Sequence, residues 1–243
     1  IKKKGIKEIP NRAIAISEAI KTLNIGDILL VAGKGHEKIQ DYGKKRIFFS
    51  DHEIILKSIF SKNKSLSNNL KLNILREVSH SKISNKLTIK NISINSKTIK
   101  KNDAFFAIRG KRVDGNRFVS EAFKKNSSLA IVNRINRNYL SKKQVKVKNT
   151  LSFLSKCSSI FRDNIDAKII SITGSCGKTT LKELLANCLN KFGKVSYSPK
   201  SYNNKYGVPL SLFNLNINNN YGVFEIGMDK KGEIDFLSSI VKP

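Results

Sequence analysis

The chain has 243 residues, 40% of them hydrophobic, which is enough for one or two globular domains with ordinary cores. Lysine and arginine (46) outweigh acidic residues (18) for a formal charge of +28, yet the lysines are spread along the whole chain without an aromatic-glycine nucleic-acid motif, so no nucleic-acid partner is expected. No apolar run nears the roughly 18 residues of a membrane span and the basic start lacks a signal peptide's apolar core, so a cytoplasmic protein is expected.

In chain order, the apolar spacing over Asn11–Ile20 predicts a helix, and Asp27–Ala32 predicts a short buried strand ending in the glycine-rich turn Gly33–Glu37. Ser50, followed by Asp51 and Glu53, caps a further helix. Residues 61–73, rich in Ser, Asn and Lys, read as a linker. Beyond it, Ile89–Ser96 alternates like a strand, Ala104–Ile108 and Leu129–Val132 read as buried strands, and Phe118–Lys125 reads as a helix. Thr150–Arg162 carries an apolar helical stripe expected to pack on a sheet. Strands at Lys168–Ile172, Lys194–Tyr197 and Tyr221–Ile226 alternate with helices entered near Lys178 and Val208, and a helix-like segment precedes Pro243. The fold class is therefore α/β with a parallel sheet.

Thr173-Gly-Ser-Cys-Gly-Lys-Thr-Thr180 turns from a strand into a helix and points to a nucleotide phosphate site. Gly174 and Gly177 allow backbone N–H groups to close around an oxyanion, and the helix N-terminus adds the positive end of its dipole. Lys178 can reach the outer phosphates of ATP and Thr179 can ligate the accompanying Mg²⁺. Ser175, Cys176 and Thr180 complete the candidate ATP-binding run. Its spacing departs from the general P-loop, which has glycine where this chain has Ile172. Glu225 ends a strand on the same sheet edge and is either a second Mg²⁺ ligand or a solvent-facing strand end. Asn203 and Asn204 either donate to phosphate or substrate or are ordinary turn residues. Cys157, Cys176 and Cys188 are odd in number and lack C-x-x-C spacing, which indicates reduced thiols rather than disulfides or structural zinc.

With Tyr202–Leu210 and Phe224–Ile234, this run resembles the Mur ligases, in the branch that adds D-alanyl-D-alanine. The resemblance extends from about residue 65 to the end. Ser93–Lys97, Asp103–Gly110 and Asp114-Gly115 resemble the family's amino-terminal domain, in which Ser96 and Lys97 would contact the UDP-muramoyl substrate. Lys97 stands where the family usually has arginine, and lysine cannot make the bidentate fork. The first 60 residues resemble the closing, Rossmann-like domain of the diaminopimelate-adding branch, in which Gly33 and Glu37 would contact the incoming diamino acid; His36 reads as a loop residue.

The resemblance implies a Mur-ligase architecture: a sibling-ligase tail (1–60), a linker (61–73), a small α/β UDP-muramoyl-binding domain (74–149) and a truncated parallel-sheet ATPase domain (150–243). It implies ATP-driven amide formation in peptidoglycan precursor synthesis, with ATP and Mg²⁺ as cofactors, and a UDP-N-acetylmuramoyl peptide and D-alanyl-D-alanine as substrates. Lys178 and Glu225 would be catalytic, with Thr179 and Glu225 on the metal. The chain starts at Ile1, has its one methionine at Met228 and stops at Pro243, so both ends read as cuts. The two resemblances together imply a fused polypeptide, with a chance join of reading frames as the alternative. Competing readings are another amide ligase of the folylpolyglutamate synthase type, or a basic nucleic-acid-binding module.

Overall fold

A computed structural model describes residues 6–23, 27–34, 37–41, 43, 46–84, 86–110, 112–139, 141–200 and 202–243, with side chains left undescribed at 40, 41 and 63–69. The chain divides into two compact units, Ile1–Leu66 and Ser67–Pro243.

In the first unit, α1 (Arg12–Thr22) starts where the Asn11 side chain accepts the Ile14 N–H. A hairpin, β1 (Ile39–Asp41) and β2 (Arg46–Phe48), precedes α2 (Asp51–Ser79). Arg12 clamps the buried Asp51 carboxylate with Nε at 2.9 Å and Nη2 at 2.5 Å, and Nη2 also donates to the Ala32 carbonyl at 2.9 Å. The guanidinium holds the Asp51 carboxyl below the usual carboxylate range.

One expectation fails here. Asp27–Ala32 is not a buried strand: it joins no sheet, and Ile28 and Leu30 are 94% and 85% exposed. An apolar run needs a neighbouring ladder to satisfy its backbone, and none of the described residues supplies one. Residues 61–73 lie within α2, and the division between the two units, after Leu66, falls among them. Leu70, Ile74 and Val78 recur every fourth position there and meet the core of the second unit, with Leu75 fully buried.

The second unit holds two parallel sheets. The first, in the order β3 (Ile92–Ser93), β4 (Ala104–Phe106), β5 (Leu129–Val132), β6 (Gln144–Lys146), is sequential. Its side chains alternate between faces. Ile92, Ala104, Phe106, Leu129, Ile131 and Val145 enter the main core. Phe105, Ala107, Ala130 and Val132 meet α3 (Val119–Lys124) through Val119 and Ala122.

The second sheet is ordered β7 (Lys168–Ile172), β9 (Tyr221–Glu225), β8 (Val195–Tyr197). Between these strands run α5 (Lys178–Leu189) and α6 (Gly207–Phe213); α4 (Thr150–Asp163) precedes them and α7 (Glu233–Val241) follows. Phe224 faces the main core with α4, α6 and α7. By the two-residue period of a strand, Val223 and Glu225 face the other way, where α5 packs.

One core serves both sheets. The Asn214 side chain bonds both backbone groups of Ile92, at 2.7 and 2.8 Å, and the Thr150 hydroxyl donates to the Ala107 carbonyl at 3.1 Å. The helix ending before Pro243 is tied in as well, with Arg162 donating to the Val241 carbonyl at 2.9 Å.

Lys71, 3% exposed, donates to the Lys90 carbonyl at 3.0 Å, and burial pushes its ammonium down to about 8. Between that value and the ordinary lysine value the unfolded chain binds the extra proton, so stability rises with pH through this window. Lys71→Met should abolish that rise and stabilise the protein by about 1–3 kcal/mol at pH 7, read from urea unfolding at pH 7 and pH 9.5.

Candidate functional site

The site forms where β7 and β9 end side by side, with Ile172 paired to Glu225. After Ile172 the chain turns through Thr173–Gly177 into α5, and two residues of that turn adopt positive φ: Gly174 at 146° and Gly177 at 74°. A side chain would be strained at either position. Ser175, Cys176 and Gly177 are exposed, as is Thr180 in the first turn of α5. The leading N–H groups of α5 lack intrahelical partners, so the turn presents donors together with the positive helix end. Lys178 folds back over this turn, its Nζ 2.6 Å from the Gly174 carbonyl oxygen and 3.5 Å from that of Ser175.

Glu225 is the centre of the arrangement. Its side chain is 2% exposed, and its two oxygens are claimed from three directions. The Thr179 hydroxyl donates to Oε2 at 2.8 Å, and the Asn203 amide donates to Oε1 at 2.8 Å. Lys182, wholly buried one turn further along α5, places Nζ 3.8 Å from Oε2 and donates to the Lys200 carbonyl at 2.5 Å. Behind them, the Glu225 N–H donates to the Ser198 hydroxyl at 3.3 Å. The solvent-facing alternative for Glu225 is thus excluded by its burial.

Gly227 explains the close approach of the Asn203 loop. Its N–H donates to the Asn203 carbonyl at 2.6 Å, and a Cβ there would come within 2.9 Å of the same oxygen. Asn204 does a different job: its Oδ1 accepts the N–H groups of Tyr206 and Gly207, both at 3.0 Å, at the start of α6. The asparagine pair therefore splits, with Asn203 on the carboxylate and Asn204 holding the turn.

The carboxylate of Glu225 and the hydroxyl of Thr179 are hard oxygen donors, the type Mg²⁺ prefers, and they already touch. Together with the exposed amide turn, this chemistry fits a magnesium–polyphosphate group. No cluster of three or more His, Cys, Asp or Glu suited to a metal occurs among the described residues, so such an ion would draw most of its ligands from phosphate and water.

The remaining expected residues lie elsewhere. Ser96 is buried and donates to Glu121 at 2.7 Å, a bond that lowers the Glu121 carboxyl from its ordinary value. Lys97 has an exposed side chain, and its carbonyl accepts from Lys125 at 2.7 Å. Gly33, at φ 102°, and the exposed Glu37 belong to the first unit, and His36 lies outside the described residues. Lys182 and Ser198 were not anticipated. Lys182 sits three positions after Thr179, hence on the same helix face, which is the one sequence signal that could have found it.

Residues 172–243 match the Mur ligase middle domain and residues 88–162 match the Mur ligase family catalytic domain. UDP-N-acetylmuramoyl-tripeptide–D-alanyl-D-alanine ligase of Rickettsia prowazekii is 36% identical over 161 residues, 66% of this chain and 36% of that protein. The enzyme of the same name from Buchnera aphidicola subsp. Baizongia pistaciae is 35% identical over 167 residues, with the same coverage of each. Among solved structures, MurF from Acinetobacter baumannii superposes with a TM-score of 0.63 at 32% identity, covering 70% of this chain and 38% of that one. MurF ligase from Thermotoga maritima in complex with ADP gives 0.55 at 31% identity, covering 65% and 36%. The chain belongs to the Mur ligase family and is homologous to MurF. It spans 36% of the length of these curated relatives.

The split between the two asparagines is measurable. Asn204→Ala should cost about 1 kcal/mol of stability in urea unfolding, the loss typical of a helix-start acceptor, whereas Asn204→Asp, which keeps the acceptor, should cost little.

Proposed function

We propose that this chain is part of an ATP-dependent amide ligase of peptidoglycan precursor synthesis, joining D-alanyl-D-alanine to UDP-N-acetylmuramoyl-tripeptide. The observation that carries this reading is the contact of Thr179 with the buried Glu225 beside a glycine turn bearing Lys178, in a chain homologous to MurF.

In this reaction the peptide carboxylate attacks the γ-phosphorus of ATP, giving an acyl phosphate and ADP. The amine of D-alanyl-D-alanine then attacks the acyl carbon, expels inorganic phosphate and loses its proton to form the amide. The amides of Gly174–Gly177 cradle the phosphates, and Lys178 leaves its loop carbonyls to neutralise the outer ones. Thr179 and Glu225 would hold Mg²⁺, which supplies charge neutralisation to the transferred group when bound. Asn203 fixes the rotation of the Glu225 carboxylate by occupying the oxygen that Thr179 does not. Such positioning and electrostatic stabilisation supply most of the catalysis in phosphoryl transfer.

The finer assignments belong to the same proposal. Residues 74–149, with Ser96 and Lys97, would hold the UDP-muramoyl end of the substrate, and residues 150–243 would bind ATP. Residues 1–60 would be the tail of a diaminopimelate-adding ligase, with Gly33 and Glu37 toward the diamino acid, in a fused polypeptide whose first product is its second substrate. Its nucleotide-linked substrates put the activity in the cytoplasm, and no helix among the described residues is long and apolar enough to cross a membrane. The dispersed lysines favour anionic nucleotides over nucleic acid as partners.

Lys178→Ala in the full-length protein should lower ADP release with UDP-N-acetylmuramoyl-tripeptide and D-alanyl-D-alanine by at least about 100-fold. Near-normal turnover in that variant would overturn the proposal.

A further inference from the structure

We propose that Lys182 is a positioning residue that withholds Glu225 from free divalent cations, so that metal enters only together with the nucleotide's phosphates. This rests on the ATP-ligase reading above and deepens it.

Within that reading, Oε2 of Glu225 is the oxygen that faces the Thr179 hydroxyl, and it is also the oxygen nearest the Lys182 ammonium. The negative charge offered to an arriving cation is therefore already balanced. Lys182 is the one cation paired with Glu225 among the described residues, and both side chains are almost completely shielded from water. Charges so placed interact far more strongly than on the surface, because little solvent screens them.

The ammonium cannot swing aside. It is 0% exposed, its Nζ is held by the Lys200 carbonyl at 2.5 Å, and its backbone lies within α5 one turn beyond Thr179. A divalent cation arriving alone meets a neutral ion pair and a fixed positive charge. One arriving with a polyphosphate brings its own negative charge, which offsets that of Lys182. The pair thus makes metal binding conditional on nucleotide, and the Lys200 bond ties the same lysine to the loop that carries Asn203.

Mn²⁺ binding to the full chain at pH 8, followed by electron paramagnetic resonance with and without ADP, tests this. The wild type should bind Mn²⁺ with ADP present, but without nucleotide only more weakly than about 1 mM. Lys182→Gln keeps a donor for the Lys200 carbonyl but removes the charge, and should tighten nucleotide-free Mn²⁺ binding by about tenfold or more. Lys182→Arg should leave it weak. Tight nucleotide-free binding by the wild type overturns the proposal even if neither variant folds, and so does a folded Lys182→Gln protein with unchanged Mn²⁺ affinity. Failure of the wild type to bind Mn²⁺ with ADP would instead remove the ATP-ligase reading beneath it.

Discussion

A carboxylate taken out of water must be matched at both oxygens or it destabilises the fold that buries it, and Glu225 is the place where this chain meets that demand. Its partners come from two separate pieces of structure: Thr179 and Lys182 from α5, and Asn203 with Ser198 from the loop after β8. Neither of these elements can shift without leaving a buried polar group unmatched. The demand therefore fixes the angle at which α5 leaves β7 and how closely the Asn203 loop approaches β9. The absence of a side chain at Gly227 is part of the same constraint, since that approach leaves no room for one.

The core beneath the site gives that geometry a rigid base. Phe161 and Phe213 meet edge to face at 5.5 Å, and Phe106 lies 6.1 Å from Phe153, so α4 touches the second sheet's helices and the first sheet's strands with one apolar stripe. Asn214 and Thr150 then satisfy backbone groups at the ends of β3 and β4 that the ladders leave over. Two parallel sheets that would otherwise be separate layers are held in one packed unit. The polar ties set their register, and the aromatic contacts supply the burial.

What could be read from the sequence follows from the range of each signal. Leu129–Val132 was legible to the residue, because a buried parallel strand is a continuous apolar run with sharp ends. The turn from β7 into α5 was legible because two glycines break an apolar run directly ahead of a helix. β2 and β6 are three residues each, and β2 is exposed throughout, so no periodicity betrays them. The helical state of residues 61–73 was hidden because the apolar repeat of α2 resumes only at Leu70, behind a polar stretch that looks like loop composition. Asp27–Ala32 misled in the opposite sense: the run is apolar enough for a strand, but strand formation depends on a partner that local sequence cannot specify. Lys182 was invisible for a related reason. A lysine on a helix ordinarily faces solvent, and only the fold reveals a carboxylate opposite it.

The two halves of the site differ in a way that suits a nucleotide-handling centre. On one side, Glu225 and Lys182 are buried and held by protein partners, so their positions are set before any ligand arrives. On the other, Ser175, Cys176 and Gly177 are exposed, and Lys178 is held only by loop carbonyls that it can give up. Its ammonium gains more from phosphate oxygens than from neutral carbonyls, because attraction between opposite charges is added to the hydrogen bond. On the proposed reading, phosphate binding then needs only a rotation of the Lys178 side chain, while the oxygens of Glu225 and Thr179 stay where the buried cluster fixes them. Preorganisation is thus concentrated where charge must be matched most closely, and the loosely held ammonium of Lys178 sits on the exposed side.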